Sequence, residues 1–257
     1  MTALSESGSA SASEGVKGIY QGRRVKSVVP LVGTRKAIAE HMRRSLQISA
    51  QLTRTGEIDV AELVSLREAL VNRQDEIGSR ITYTDLLVFF VAKVLKDYPM
   101  INASIIEDEI KIWEDINIGV AVSTEEGLIV PVVKSADKKS LVEISRAIKN
   151  LSNKARKRTL LRDEIHGGTF TISNLGARVS GWYFDTAIVN QPESAILLTG
   201  GISDRPVVRD DKILPRPIMT YSFTYDHRLI DGVLAGEFMA AVVAMLENPF
   251  RFQTQIC

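Results

Sequence analysis

The chain has 257 residues, 45% hydrophobic and 25% charged, a globular balance long enough to bury a full core without a disulfide or a metal. Lysine and arginine number 32 against 31 aspartates and glutamates, so neither nucleic acid nor a membrane is signalled as a partner, and no apolar run approaches the roughly 20 residues of a bilayer span. One cysteine, Cys257, ends the chain; with only three histidines (His41, His166, His227) beside it, neither an internal disulfide nor a structural zinc site is expected.

Residues 1–24, opening MTALSESGSASASEG, hold little to bury and are expected to be a disordered linker or the scar of a tag. Residues 1–15 lack the basic cluster and apolar stretch of a secretory signal. From 25 to 257 the pattern is globular, with no second linker and no repeat, which gives one domain. Thr34 is placed to cap a helix through about Ser49, with Ile38, His41, Met42 and Leu46 on one stripe. QLTRTGEIDV then reads as a strand, and Val60 to Ile77 as a second helix. Thr84 is expected to cap a buried helix, TDLLVFFVAKVLKDYP, stopped by Pro99. ASIIEDEIKIW reads as a hairpin turning near Glu107–Glu109, and INIGVAVST and GLIVPVVK as two apolar strands. Residues 139–157 return to helical period, with Leu141, Ile144, Ile148 and Leu151 on one face. After His166–Gly168, GTFTISN, SAILLTGG and PIMTYSFTYD read as strands, and Gly232 opens a last helix to about 246. Helices and antiparallel strands without a regular βαβ beat give an α+β fold with a mixed sheet.

Two stretches offer chemistry. In YSFTYDHRLIDGVLAG (221–236), His227 follows a core strand and precedes a helix opened by Asp231-Gly232. Rigid elements on both sides suit a precise acid–base group; a satisfied turn histidine with Asp231 as a helix cap is the plainer reading, and both stand. In HGGTFTISNLG (166–176), Ser173 ends a strand. The G-x-S-x-G nucleophile pattern is absent around it, which favours a hydrogen-bond donor over a nucleophile; a serine bonding its own backbone is the alternative.

Six segments in order, VGTRKAIAEHM, YPMINASI with INIGVAVSTEEGLIVPVVK, GGTFTISNLG, NQPESAILLTGG and YDHRLIDG, resemble the catalytic domain of the dihydrolipoamide acyltransferases of 2-oxo acid dehydrogenase complexes, over about Val29 to the C-terminus. The resemblance implies a chloramphenicol-acetyltransferase-like mixed sheet flanked by helices. It implies transfer of an acyl group between dihydrolipoamide and coenzyme A, both substrates, with no metal. The family's base falls on His227, its oxyanion donor on Ser173, and its motif aspartate on Asp231, an organiser held by an arginine for which Arg35 is the candidate. It further implies a homotrimer with the site between chains, His227 of one meeting Ser173 of the next, and assembly of trimers into a hollow core of 24 or 60 subunits. Lipoyl domains, the 2-oxo acid decarboxylase and dihydrolipoamide dehydrogenase would be partners, the last two through upstream domains this chain does not carry. The expected location is bacterial or archaeal cytoplasm, with the mitochondrial matrix as the alternative.

Some segments depart from the family. Trp182, Tyr183 and Phe184 are bulky where small residues are usual and either line the acyl or lipoyl pocket or fill the trimer contact. Phe250, Phe252 and Ile256 are candidates for docking one trimer on the next. Lys154, Arg156, Lys157, Arg158 and Arg162 invite a coenzyme A phosphate or are simply the solvated end of a helix. The acyl group stays open among acetyl, succinyl and branched-chain. A silent structural core and a transferase acting on a diffusible acceptor are the competing functions.

Overall fold

A computed structural model describes residues 18–125, 127–177, 184–209 and 211–252. The chain divides between Ala39 and Glu40 into two units. In the first, β1 (Ile19–Tyr20) and β2 (Arg23–Arg24) form a small exposed hairpin. It turns through Gln21 and Gly22, both at positive φ, where composition alone predicted irregular chain. The disorder expected of residues 1–24 falls, over 1–17, outside the described residues. Helix α1 (Gly33–Ile48) runs across the division.

The second unit continues with β3 (Gln51–Asp59), α2 (Ala61–Asn72), α3 (Gln74–Ile77) and α4 (Tyr83–Leu95). The helix predicted over 60–77 is thus broken at Arg73. The cap of α4 is Thr82, not Thr84: Thr82 Oγ1 accepts from the Asp85 N–H at 3.2 Å while the Asp85 carboxylate accepts from the Thr82 N–H at 2.8 Å. An acid three residues on is what makes this reciprocal cap. Next come β4 (Ala103–Ile106) and β5 (Glu109–Ile112), a hairpin turning at Glu107 and Asp108 as expected. The two apolar strands predicted after it are each interrupted, giving β6 (Ile118–Val120), β7 (Val122–Thr124), β8 (Gly127–Ile129) and β9 (Val132–Val133). Helix α5 (Leu141–Lys157) is capped by Ser140 and buries Leu141, Ile144, Ile148 and Leu151, the predicted stripe. The remaining elements are β10 (Phe170–Asn174), β11 (Ala195–Arg209), β12 (Lys212–Asp226) and α6 (Gly232–Glu247).

Six strands form the main sheet in the order β3-β12-β11-β10-β6-β9. Pairing is antiparallel except for β11-β10 and β10-β6, which are parallel, so the mixed α+β sheet expected from the sequence is present. One face packs on helices: Phe170 and Phe223 both meet Phe238 of α6, and Ile172, Tyr221 and Tyr225 join the same core. Because strand side chains alternate, Thr171 and Ser173 of β10 and Ser222 and Thr224 of β12 point to the other face. There Thr53 and Thr224 share a 2.8 Å hydroxyl contact.

Candidate active site

Strand β12 is buried from Ile218 to Asp226 and stops abruptly at a turn whose N–H groups, from His227 to Ile230, are all hydrogen-bonded. The N–H groups of Leu229 and Ile230 both donate to the Asp226 carbonyl at 3.0 Å, and both side chains are buried under the turn. The His227 N–H donates to the Ala50 carbonyl at 2.8 Å. Its imidazole is exposed, 5.9 Å from the Tyr225 ring by centroids. On the helix side, Asp231 is the N-cap of α6 and accepts from the Leu234 N–H at 2.8 Å. His227 is therefore held between a strand end and a helix start, as the motif suggested.

Asp231 itself is exposed, and among the described residues of the second unit no arginine pairs with it. A buried, arginine-held carboxylate of the kind anticipated at Asp231 is present at Asp226. Asp226 is 3% exposed and receives Arg228 through Nε at 3.0 Å and Nη2 at 2.6 Å. It also accepts from the N–H groups of Ala50 at 3.2 Å and Arg228 at 3.1 Å. From sequence, Asp226 and Arg228 flank the histidine as residues able to shape the turn, with no part in the chemistry; the bond to Ala50, far away in the chain, was not visible there.

Ser173 is buried on β10, level with Leu198 of β11 and through it with Ser222 of β12. His227 lies five residues beyond Ser222 along a strand antiparallel to β11. At about 3.3 Å per residue and about 4.8 Å per strand step, Ser173 and His227 stand roughly 19 Å apart in one chain. Ser173 is near the C-terminal end of β10 and His227 is level with its start, so one chain does not bring them together.

Each end has a cavity. Beside the Ser173 end, a space of about 310 Å³ is lined by Arg67, Tyr83, Thr84, Asn174, Gly176 and Gly200 among others. Asn174 Nδ2 donates to Thr84 Oγ1 at 3.1 Å, and the Arg67 guanidinium lies 4.8 Å over the Tyr83 ring with its Nε buried and unpaired. At the other end, about 730 Å³ is bounded by His41, Trp113, His166, Gly168, Asn190 and Glu193 among others. Glu193 is wholly enclosed; burial pushes its carboxyl up to about 7, against the hydrogen bonds from Thr171 at 2.6 Å and Asn190 at 3.0 Å. His41 Nε2 meets Asn190 Oδ1 at 3.0 Å, and His166 Nδ1 meets the Arg162 carbonyl at 2.7 Å, so both serve structure.

The sequence matches the family described as 2-oxoacid dehydrogenases acyltransferase (catalytic domain) over residues 24–253. The chain belongs to this family. The acyltransferase domain is 38% identical over 219 residues to the dihydrolipoyllysine-residue acetyltransferase component of the Bacillus subtilis pyruvate dehydrogenase complex, covering 84% of this chain and 49% of that one. It is 36% identical over 238 residues to the succinyltransferase component of the Haemophilus influenzae 2-oxoglutarate dehydrogenase complex, covering 92% of this chain and 58% of that one. The chain thus spans about half the length of the curated relatives it matches. Among solved structures, the cubic core of the pyruvate dehydrogenase multienzyme complex superposes with a TM-score of 0.83 at 32% identity, covering 87% of this chain and 92% of that one.

Three groups of residues singled out in the acyltransferase sequence remain. The basic cluster sits at the end of α5, where Lys154 pairs with Glu164 at 2.6 Å. Trp182, Tyr183 and Ile256 lie outside the described residues, as does the Phe252 side chain; Phe184 is exposed, and Phe250 is at the margin of exposure.

Proposed function

We propose that this chain is the catalytic domain of a dihydrolipoamide acyltransferase, moving an acyl group between the thiols of dihydrolipoamide and coenzyme A at a site shared by two chains. The observation that carries the reading is the separation of the proposed base and oxyanion donor by roughly 19 Å, at the two ends of the β10 span, in a member of this family. Neither end is complete alone. An assembly that sets the His227 end of one chain against the Ser173 end of the next supplies both.

The chemistry follows from the two side chains. A free thiol has a pKa near 8.5 and an imidazole near 6.5, so a positioned His227 takes the thiol proton as attack proceeds. The sulfur bonds to the thioester carbonyl carbon, and the carbonyl oxygen becomes an oxyanion. Ser173 Oγ–H donates to that oxyanion, a contact worth about 10²–10³ in rate. Collapse re-forms the carbonyl, expels the other thiolate and returns the proton from His227 to it. No acyl-enzyme is needed. The cavity beside Asn174 and Gly176, with Arg67 in its wall, is the berth proposed for part of coenzyme A.

The relatives carry acetyl and succinyl groups, so acetyl, succinyl and branched-chain donors all stay open for this chain. A homotrimer built into a hollow core of 24 or 60 subunits, served by lipoyl domains and by decarboxylase and dihydrolipoamide dehydrogenase partners, completes the proposal. Bacterial or archaeal cytoplasm is the proposed location, both relatives above being bacterial.

Co-assembly tests it. His227→Ala and Ser173→Ala chains should each keep no more than about 1% of wild-type transfer alone. Unfolded together and refolded, they should regain about one quarter of wild-type transfer from acetyl-CoA, succinyl-CoA or isobutyryl-CoA to dihydrolipoamide, because a cyclic trimer of random composition pairs an intact His227 with an intact neighbouring Ser173 at that frequency. No recovery from a mixed assembly would exclude a shared site.

A further inference from the structure

The acid–base chemistry uses the His227 imidazole, yet the most heavily bonded side chain of the turn is its neighbour. Asp226 Oδ1 accepts from the Ala50 N–H, the Arg228 N–H and Arg228 Nε, and Oδ2 accepts from Arg228 Nε and Nη2. A carboxylate offers about four acceptor sites, so Asp226 is saturated and has nothing left for a substrate or for the imidazole. What these bonds fix is backbone. Ala50 joins α1 to β3, and it gives its N–H to the Asp226 side chain while its carbonyl takes the His227 N–H at 2.8 Å. The turn is thereby locked to the α1–β3 joint on both sides of one residue. Arg228 closes the clasp from the far side in the two-pronged geometry that best fixes a carboxylate in space.

We infer that Asp226 is a positioning residue for the general base: its clasp with Arg228 and Ala50, and not the Asp231 cap alone, sets where the His227 imidazole stands. This rests on the reading of His227 as the base. The same β3–β12 pair contains an internal control. At its other end Asp59, also buried and paired with Ile218 nine residues along the chain from His227, is held by Arg216 at 2.8 Å and Arg209 at 3.5 Å.

Asp226→Asn keeps the shape and one acceptor oxygen but turns an amide N–H₂ toward the guanidinium. Misplacement of a catalytic group by about 1 Å costs up to about 10²-fold. The experiment measures kcat and both KM values for wild type, Asp226→Asn, Arg228→Lys and Asp59→Asn, with amide hydrogen exchange over 49–51 and 226–230 by mass spectrometry. Asp226→Asn should lower kcat about 10–100-fold with each KM within about twofold, and speed exchange of these segments at least about tenfold. Arg228→Lys, which keeps the charge but loses the second prong, should do the same by about 3–10-fold. Asp59→Asn should leave kcat and this exchange unchanged. An Asp226→Asn kcat within about twofold of wild type, or a fall with unchanged exchange, overturns the inference. Should the wild type transfer nothing, the function reading fails by itself; exchange then decides the clasp, and unchanged exchange sinks it.

Discussion

The two ends of the β3–β12 ladder use one device for different purposes. At one end the buried Asp59 takes Arg216 and Arg209 and fastens the far arm of the β11–β12 hairpin, whose Val208 and Ile213 are exposed. At the other, Asp226 takes Arg228 and fastens a turn that presents an imidazole. Burial by itself would raise the Asp59 carboxyl; the Arg216 hydrogen bond, the Ala61 N–H and the two arginine charges outweigh it and hold the group below the usual carboxylate range. A buried carboxylate clasped by arginine is therefore no mark of a site. What distinguishes the second end is the residue beside the clasp.

The comparison breaks most sharply at His227. Replacing it with alanine should lower transfer about 10²–10⁴-fold with the assembly intact, measured with acyl-CoA and dihydrolipoamide. Ser173→Ala should lower kcat about 10²–10³-fold at little change in KM. A comparable loss from Asp59→Asn would erase the contrast between the two ends.

Stability separates the regions further. Glu193 has its folded pKa raised from 4.5 to about 7, so the fold favours its protonated form. Its contribution is whole below about pH 4.5 and is lost as pH rises through about 7, a decline worth up to about 3 kcal/mol. Glu193→Gln should flatten that slope and leave the variant the more stable at pH 8, as denaturant midpoints against pH would reveal. Asp59 runs the other way: its folded pKa is depressed, so its contribution is present above its unfolded pKa and lost as pH falls through the folded one. Asp59→Asn should cost about 1–3 kcal/mol near neutral pH and less in acid.

Much of this was legible in the residues. The α5 stripe, the turn at Glu107–Asp108, and the start of α6 at Gly232 each follow from local pattern, and structure agrees. Helix α4 was found but its cap misplaced, because Thr82 and Thr84 are equally good caps until Asp85 is seen to reach back. Hairpin β11–β12 runs well past the predicted strands, since Pro206, Pro215 and Pro217 break the alternation that signals a strand. In α1, Leu46 of the expected apolar stripe is exposed while Ser45 is buried against Val189. As for the site, His227 and Asp231 were visible as a motif, and Ser173 as a strand-end hydroxyl. The Asp226 clasp was not, since it closes across the fold on Ala50. The family resemblance implied that His227 and Ser173 meet only between chains; the strand register, which the residues do not disclose, gives their distance within one chain.

That division of the two side chains has a consequence for the life of the chain. Under the proposed arrangement, a newly made copy folds with half of each reaction centre and stays silent until it meets its neighbours. Turnover then becomes a readout of correct assembly, and dilution a means of switching it off.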